Sequence, residues 1–259
     1  MNLFDSHSHL NDEKFDNDRE EVIKKICESG VKNFITAGYS VESSKKALEM
    51  ANKYDFIYTT AGISPNDIPQ TEEELWKQLA EIEQIAKEND KKVRAIGEIG
   101  LDYYWNTENK ELQKIAFIEQ IKIANKLDLP IQIHTREAVM DTLQILKENK
   151  VTKAGIFHCC PQNRELIKEG LKLGFYISFA GPITFKNSKN AVEMINLVPN
   201  DRILIETDSP YLAPEPVRGT RNDPRNVRFI AQKIANAKNI SIEEVANMTM
   251  QNMKNIFGI

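Results

Sequence analysis

Eight short apolar segments, separated by amphipathic helical patterns, predict a (β/α)8 TIM barrel of the α/β class. The segments are near-continuous in apolar residues, as expected for strands covered on both faces of a parallel sheet. The length, 259 residues, suits one domain over 1–259, and no linker-like composition interrupts it. The competing architecture is an open doubly wound sheet. A barrel makes the sharper demand, because its chemistry must sit at the C-terminal strand ends.

The elements follow in order. Expected strands are Leu3–His9, Asn33–Gly38, Ile57–Ile63, Val93–Leu101, Pro130–Thr135, Ala154–His158, Phe175–Phe179 and Ile203–Asp208. Between them, Asp16–Ser29 places Val22, Ile23, Ile26 and Cys27 on one stripe, with Gly30 as a stop. Val41–Tyr54 follows the second strand. Thr71–Asp90 opens with Thr71-x-x-Glu74, a capping-box pattern. Asn109–Leu127, Glu137–Asn149, Gln162–Leu173 and Ser188–Leu197 continue the alternation. Asp223–Ala237 and Ser241–Phe257 close the chain, the last with a Ser241/Glu244 box and Gly258 at its end. Met248, Met250 and Met253 read as packing residues.

Composition excludes several classes. No apolar run approaches the roughly 18 residues of a membrane span. The N-terminus lacks a basic region followed by an apolar stretch. Three cysteines, two of them adjacent, argue against a disulfide framework and for a reducing cytoplasm. A net charge of −4 does not describe a nonspecific nucleic-acid coat. It leaves room for a nuclease whose positive charge comes from metal ions.

The chain has four histidines, and all of them fall at expected strand ends. His7 and His9 end the first, His134 the fifth and His158 the sixth. Glu98 lies on the fourth strand and Asp208 ends the eighth. A single His at a strand end is more often a loop residue than a ligand. The set converging on one barrel rim points to a metal site. Alternate strand residues face the same way, so His-x-His sends both imidazoles into the mouth. His and carboxylate ligands suit Zn²⁺, Mn²⁺, Co²⁺ or Fe²⁺, and Mg²⁺ where carboxylates and water dominate. Six ligands exceed what one open catalytic ion needs, and two-metal sites use a bridging carboxylate.

At these residues the sequence resembles the TatD-type metal-dependent deoxyribonucleases of the amidohydrolase superfamily. The matching motifs are Asp5-Ser6-His7-Ser8-His9-Leu10, Gly97-Glu98-Ile99-Gly100-Leu101-Asp102-Tyr103-Tyr104, Pro130-Ile131-Gln132-Ile133-His134-Thr135-Arg136, His158-Cys159 and Glu206-Thr207-Asp208-Ser209-Pro210-Tyr211-Leu212. Pro216 to Pro224 also fits. The resemblance implies a TIM barrel with two divalent ions, Mg²⁺, Zn²⁺ or Mn²⁺. His7, His9 and Asp208 would hold one ion, His134 and His158 the other, and Glu98 would bridge them. It implies a DNase, often a 3′–5′ exonuclease, cleaving phosphodiester bonds with a metal-activated water. Asp208 and Glu98 would be catalytic, with Asp208 orienting the water and accepting its proton.

The chain departs from the family where Gly-x-His-Pro-His usually follows the third strand. It has Gly62-Ile63-Ser64-Pro65-Asn66, an hydroxyl and an amide where two histidines stand. Cys159-Cys160-Pro161-Gln162 replaces Cys-Phe-Ser-Gly, and Phe179-Ala180-Gly181 replaces a Ser-Gly segment.

Arg136, Arg218 and Arg221 are the candidate phosphate-binding residues, and Tyr211 is a candidate substrate-binding residue. Arg225 reads equally well as loop charge, and Lys186 and Lys189 are weaker candidates. Tyr104, Trp105 and Tyr211 could stack on bases or pack loops; for Tyr103, packing is preferred. Glu206 is expected to face the same way as Asp208 and support a ligating His, and Asp5 to support the pair from below. The expected partner is DNA, single-stranded or at 3′ ends, with no membrane and no obligate protein partner. A carbonyl hydrolase, such as an aminoacyl-tRNA deacylase or esterase, would use the same metals and water. A noncatalytic metal-binding protein is the third reading.

Overall fold

A computed structural model describes residues 2–105 and 107–259. Among them are strands β1 (Leu3–Ser8), β2 (Val31–Ala37), β3 (Ile57–Ala61), β4 (Val93–Asp102), β5 (Ile131–Arg136), β6 (Gly155–Phe157), β7 (Tyr176–Phe179) and β8 (Ile203–Ile205). They form one sheet in chain order, with helices between successive strands. This is the (β/α)8 barrel. The helices are α1 (Arg19–Glu28), α2 (Val41–Lys53), α3 (Glu72–Glu88), α4 (Lys110–Leu127), α5 (Val139–Glu148), α6 (Arg164–Lys172), α7 (Ala191–Leu197), α8 (Val227–Lys238) and α9 (Ile242–Phe257).

The chain forms two compact units. One runs to Thr36 and resumes over His158–Ile259; the other is Ala37–Phe157. In the first, β1 pairs parallel with β2 and β7 with β8. Hydrogen bonding outlasts β8. The Asp208 amide donates to the His7 carbonyl at 3.0 Å, and the His9 amide to the Ser209 carbonyl at 2.6 Å. The end of β1 is thereby fastened to the residues after β8. Phe4, Phe34, Ile177, Phe179 and Ile203 fill the core. α9 carries the full Ser241/Glu244 capping box and ends at Gly258, whose φ of 66° suits glycine.

In the second unit β3 to β6 pair parallel, with Gly100 opposite His134 and Asp102 opposite Arg136. Gly100 has φ 136°, and a Cβ there would lie 2.0 Å from the His134 carbonyl oxygen. Only glycine lets β4 run this close to β5. The capping box expected at α3 is half made, with Thr71 Oγ1 accepting from the Glu74 amide at 3.3 Å. α4 buries two glutamines, Gln113 and Gln120. Gln113 accepts from the Asp102 amide (2.9 Å) and donates to the Asp102 carbonyl (3.1 Å). Gln120 does the same at Ile63, at 2.7 and 3.0 Å.

Most boundaries shift by a residue or two from the expected ones; the starts of α1, α7 and α8 and the end of β8 shift by three or four, α8 starting at Val227 after a 3-10 turn over Pro224–Asn226. A short 3-10 turn, Glu13–Phe15, is capped by Asp12, so α1 starts at Arg19. α7 begins at Ala191, because Lys189 and Asn190 lie in a turn. β8 ends at Ile205, and Asp208 has a left-handed φ of 55°. The three cysteines are free thiols. No helix among the described residues is long and apolar enough to cross a membrane.

Candidate metal centre

β1 is buried along its whole length, an environment where imidazoles and carboxylates need partners. His7 is fully buried and His9 nearly so. Their Nε2 atoms lie 3.2 Å apart. Asp208 Oδ1 is 3.8 Å from His7 Nε2 and 3.3 Å from His9 Nε2. All three residues offer ligand atoms within 4.8 Å of one another. Asp208 reaches them because its backbone is tied to His7 and turned into the left-handed region, which Asp tolerates better than most residues. Burial raises the Asp208 pKa, but the His9 hydrogen bond and the nearby His9, His158 and His7 rings outweigh it and hold the carboxyl below its usual range.

A divalent cation about 2.0–2.1 Å from each donor sets neighbouring ligands about 3.0–3.4 Å apart. The His7–His9 and His9–Asp208 separations, 3.2 and 3.3 Å, lie within that range, and the His7–Asp208 separation of 3.8 Å is brought into it by a small side-chain shift.

His158 follows β6 and is buried, its ring stacked on His7 at 4.0 Å between centroids. Glu206 Oε1 lies 3.4 Å from His158 Nδ1 and accepts from the Cys159 amide at 2.6 Å. Glu206 therefore stands beside His158. Strand periodicity is not the reason, since β8 has already ended. Asp5 is fully buried beneath the cluster. Its Oδ1 accepts from the amides of Thr207 (2.9 Å) and His7 (3.3 Å), and its Oδ2 bonds the Thr207 hydroxyl. Burial pushes the Asp5 pKa well up, and the Thr207 bonds offset only part of that. Asp5 thus holds the backbone on both sides of the cluster.

In the second unit, Glu98 and His134 meet, with Oε1 and Nδ1 3.0 Å apart. The opposite ring nitrogen, Nε2, lies 2.9 Å from Asp102 Oδ2. Asp102 is fully buried, and its Oδ1 accepts from the amides of Tyr104 (2.9 Å) and Trp105 (3.0 Å). Burial raises its pKa, but the His134 bond and the two amides prevail and bring it to about 2. An ionised Asp102 can only accept, so the His134 Nε2–H donates to it, and Nδ1 is the ring nitrogen that faces Glu98. A cation bound there would be held by Nδ1 and Oε1 together, with Asp102 orienting the ring from the other side.

Sequence reasoning missed Asp102. The signal was present, a carboxylate ending an apolar strand, as with Glu98 and Asp208. Asn66 Nδ2 is 3.4 Å from Asp102 Oδ2, and Ser64 donates to Asp67 at 2.6 Å within its own loop. The amide at 66 therefore serves the carboxylate that orients His134.

The expected substrate-binding residues divide. Arg136 is exposed, its guanidinium 3.8 Å from the Tyr104 ring centroid. Arg218 is exposed and lies 4.1 Å over Phe185. Arg221, expected to bind phosphate, instead forks onto both oxygens of Asp18 at 2.9 and 2.5 Å. Arg225 pairs the same way with Asp223. Tyr211 is half exposed, with its hydroxyl on Asp12 at 3.0 Å and Lys14 over its ring. Tyr103 is a packing residue, its hydroxyl 2.7 Å from Asp141.

A (β/α)8 barrel carrying histidine and carboxylate clusters of this kind is the architecture of a metal-dependent hydrolase. The family of TatD related DNases matches the chain over residues 4–258, and the chain belongs to it. It is 44% identical over 259 residues to an uncharacterized metal-dependent hydrolase, YabD, of Bacillus subtilis strain 168, covering 99% of each chain. It is 31% identical over 264 residues to the 3′-5′ ssDNA/RNA exonuclease TatD of Shigella flexneri serotype 5b, covering 99% of each. The crystal structure of YJJV, a TatD homologue from Escherichia coli K12, superposes with a TM-score of 0.93 at 24% identity, covering 99% of this chain and 98% of that one.

Proposed function

We propose that this protein is a 3′–5′ exodeoxyribonuclease that uses two divalent cations on single-stranded DNA or 3′ ends. The observation that carries the reading is the convergence of ligand atoms of His7, His9 and Asp208 within 4.8 Å of one another. The exonuclease named TatD in Shigella flexneri supports the choice of substrate.

His7, His9 and Asp208 would hold one cation, and His134, His158 and Glu98 would supply ligands for the second. Bound there, Mg²⁺, Zn²⁺ or Mn²⁺ acidifies a water and neutralises charge on the phosphoryl oxygens. Asp208, whose pKa is held low by His9 and the neighbouring rings, would orient the attacking water and take its proton. Asp102 keeps the proton of His134 on Nε2. Glu206 and Asp5 hold His158 and His7 in place. Arg136 and Arg218 meet the phosphates, while Arg221 and Tyr211 brace the loop that carries Arg218. A cytoplasmic location fits the three free thiols.

The test is hydrolysis of 3′-labelled single-stranded DNA beside charged tRNA. Metal-dependent release of 3′ nucleotides, lost in Asp208→Asn and His134→Ala, is expected. Deacylation of the tRNA without DNA cleavage would overturn the proposal in favour of a carbonyl hydrolase.

A further inference from the structure

We propose that Trp105, Tyr104 and Arg136 form a platform that stacks an unpaired base of the substrate strand and binds its adjoining phosphate. This rests on the nuclease reading and names a subsite for it.

Tyr104 and Trp105 follow β4 directly, and they are 48% and 68% exposed. An indole left that open to water forgoes burial that aromatic side chains normally gain. The two rings meet edge to face, 4.8 Å apart at 88°. Arg136 closes β5, with its guanidinium 3.8 Å from the Tyr104 centroid and 5.4 Å from that of Trp105. A guanidinium stacked on a ring keeps its in-plane N–H groups free for a phosphate fork. Arg221 and Arg225 spend their forks on carboxylates, whereas Arg136 has no carboxylate partner among the described residues.

The platform is built into the strand ends. Asp102 stands opposite Arg136 in the β4–β5 register, and the Tyr103 amide donates to the Arg136 carbonyl at 2.9 Å. The Asp102 carboxylate takes the amides of both platform aromatics on one oxygen and His134 on the other. One buried carboxylate thus fixes the platform relative to the histidine. Stacking of this kind tolerates any base, since every base has a π-face, and it requires a strand that is not paired.

The experiment uses metal-loaded protein carrying Trp76→Phe, so that Trp105 is the remaining tryptophan of the two. It is titrated with thymidine and abasic phosphorothioate strands, each of about eight nucleotides. We expect the thymidine strand to quench Trp105 emission and to bind about tenfold or more tighter than the abasic strand. Adding Trp105→Ala, with binding followed by anisotropy of labelled strands, shrinks that gap to about twofold or less. Arg136→Ala weakens both strands alike and lowers the salt slope of binding by about 1. An undiminished gap in the Trp105→Ala protein, or equal quenching by both strands, overturns the platform. Hydrolysis of an ordinary phosphodiester strand is read separately. Cleavage without a thymidine–abasic gap sinks the platform alone. An intact gap without cleavage supports the platform and sinks the nuclease reading.

Discussion

Asp102 Oδ2 lies 2.9 Å from His134 Nε2, so the imidazole is gripped on the side away from Glu98. A carboxylate so placed orients the ring and makes its other nitrogen a better donor to a cation. Asp102→Asn keeps the shape and removes the charge. Expected is a loss of about 10- to 100-fold in divalent-metal affinity, with kcat/KM falling in step. Metal titration by calorimetry checks it; unchanged affinity would show that Asp102 serves only the loop amides.

Cations that bind the folded clusters must also stabilise them. At a free concentration about 100 times Kd, one bound Mn²⁺ or Zn²⁺ adds about 2.7 kcal/mol. The melting temperature should therefore rise with metal and fall back with chelator. His9→Ala, which removes one of three converging ligands, should abolish most of that rise. A variant that melts with the same metal increment as the parent excludes His9 from coordination.

Tyr103 donates to Asp141, which Lys114 also pairs at 3.0 Å. These bonds lower the Asp141 pKa, while burial and then Asp141 raise that of Tyr103. Tyr103→Phe should cost about 1 kcal/mol near neutral pH, a modest figure because Asp141 is partly exposed. A depressed carboxylate contributes above its unfolded pKa and loses that contribution as pH falls through the folded one. The cost should therefore shrink below about pH 4. A raised phenol contributes below about pH 10 and loses it above, so the cost should shrink there too. Urea unfolding across pH reads both limbs. DNA hydrolysis should change little, and a large loss of turnover would move Tyr103 into the site.

Gly100→Ala is expected to be severe. The new methyl meets the His134 carbonyl oxygen at 2.0 Å, on a backbone with φ 136°. Neither β4 nor β5 can yield without moving His134. The expected loss is about 3 kcal/mol or more in urea unfolding, with weakened metal binding in whatever fraction folds. A loss below about 1 kcal/mol would mean the strands separate easily there.

Much of this was readable in the sequence because it depends on local periodicity. The buried strands announce themselves as apolar runs, and His7 and His9 gain their meaning from the two-residue repeat of β1. The eighth strand was read too long. Glu206–Asp208 continue to pair through their backbone, yet Asp208 turns left-handed, and no side-chain pattern records a φ angle. Asp102 was quoted within a motif and given no role. Its partner His134 lies 32 residues away, and its ionisation reflects that distant ring and two local amides. The partner of Arg221 was not legible either, since Asp18 lies 203 residues earlier in the chain.

The paired glutamines of α4 have a consequence for how this chain can vary. Gln113 and Gln120 are seven residues apart, two turns of helix and about 10.5 Å, and so share one face. One fastens the end of β4 at Asp102 and the other the segment just after β3 at Ile63. Inserting or deleting a single residue between them would swing one amide about 100° away from its backbone target. Sequence drift along this stretch of α4 can exchange side chains but cannot change its length, and a lineage that altered the spacing would have to rebuild both loops together.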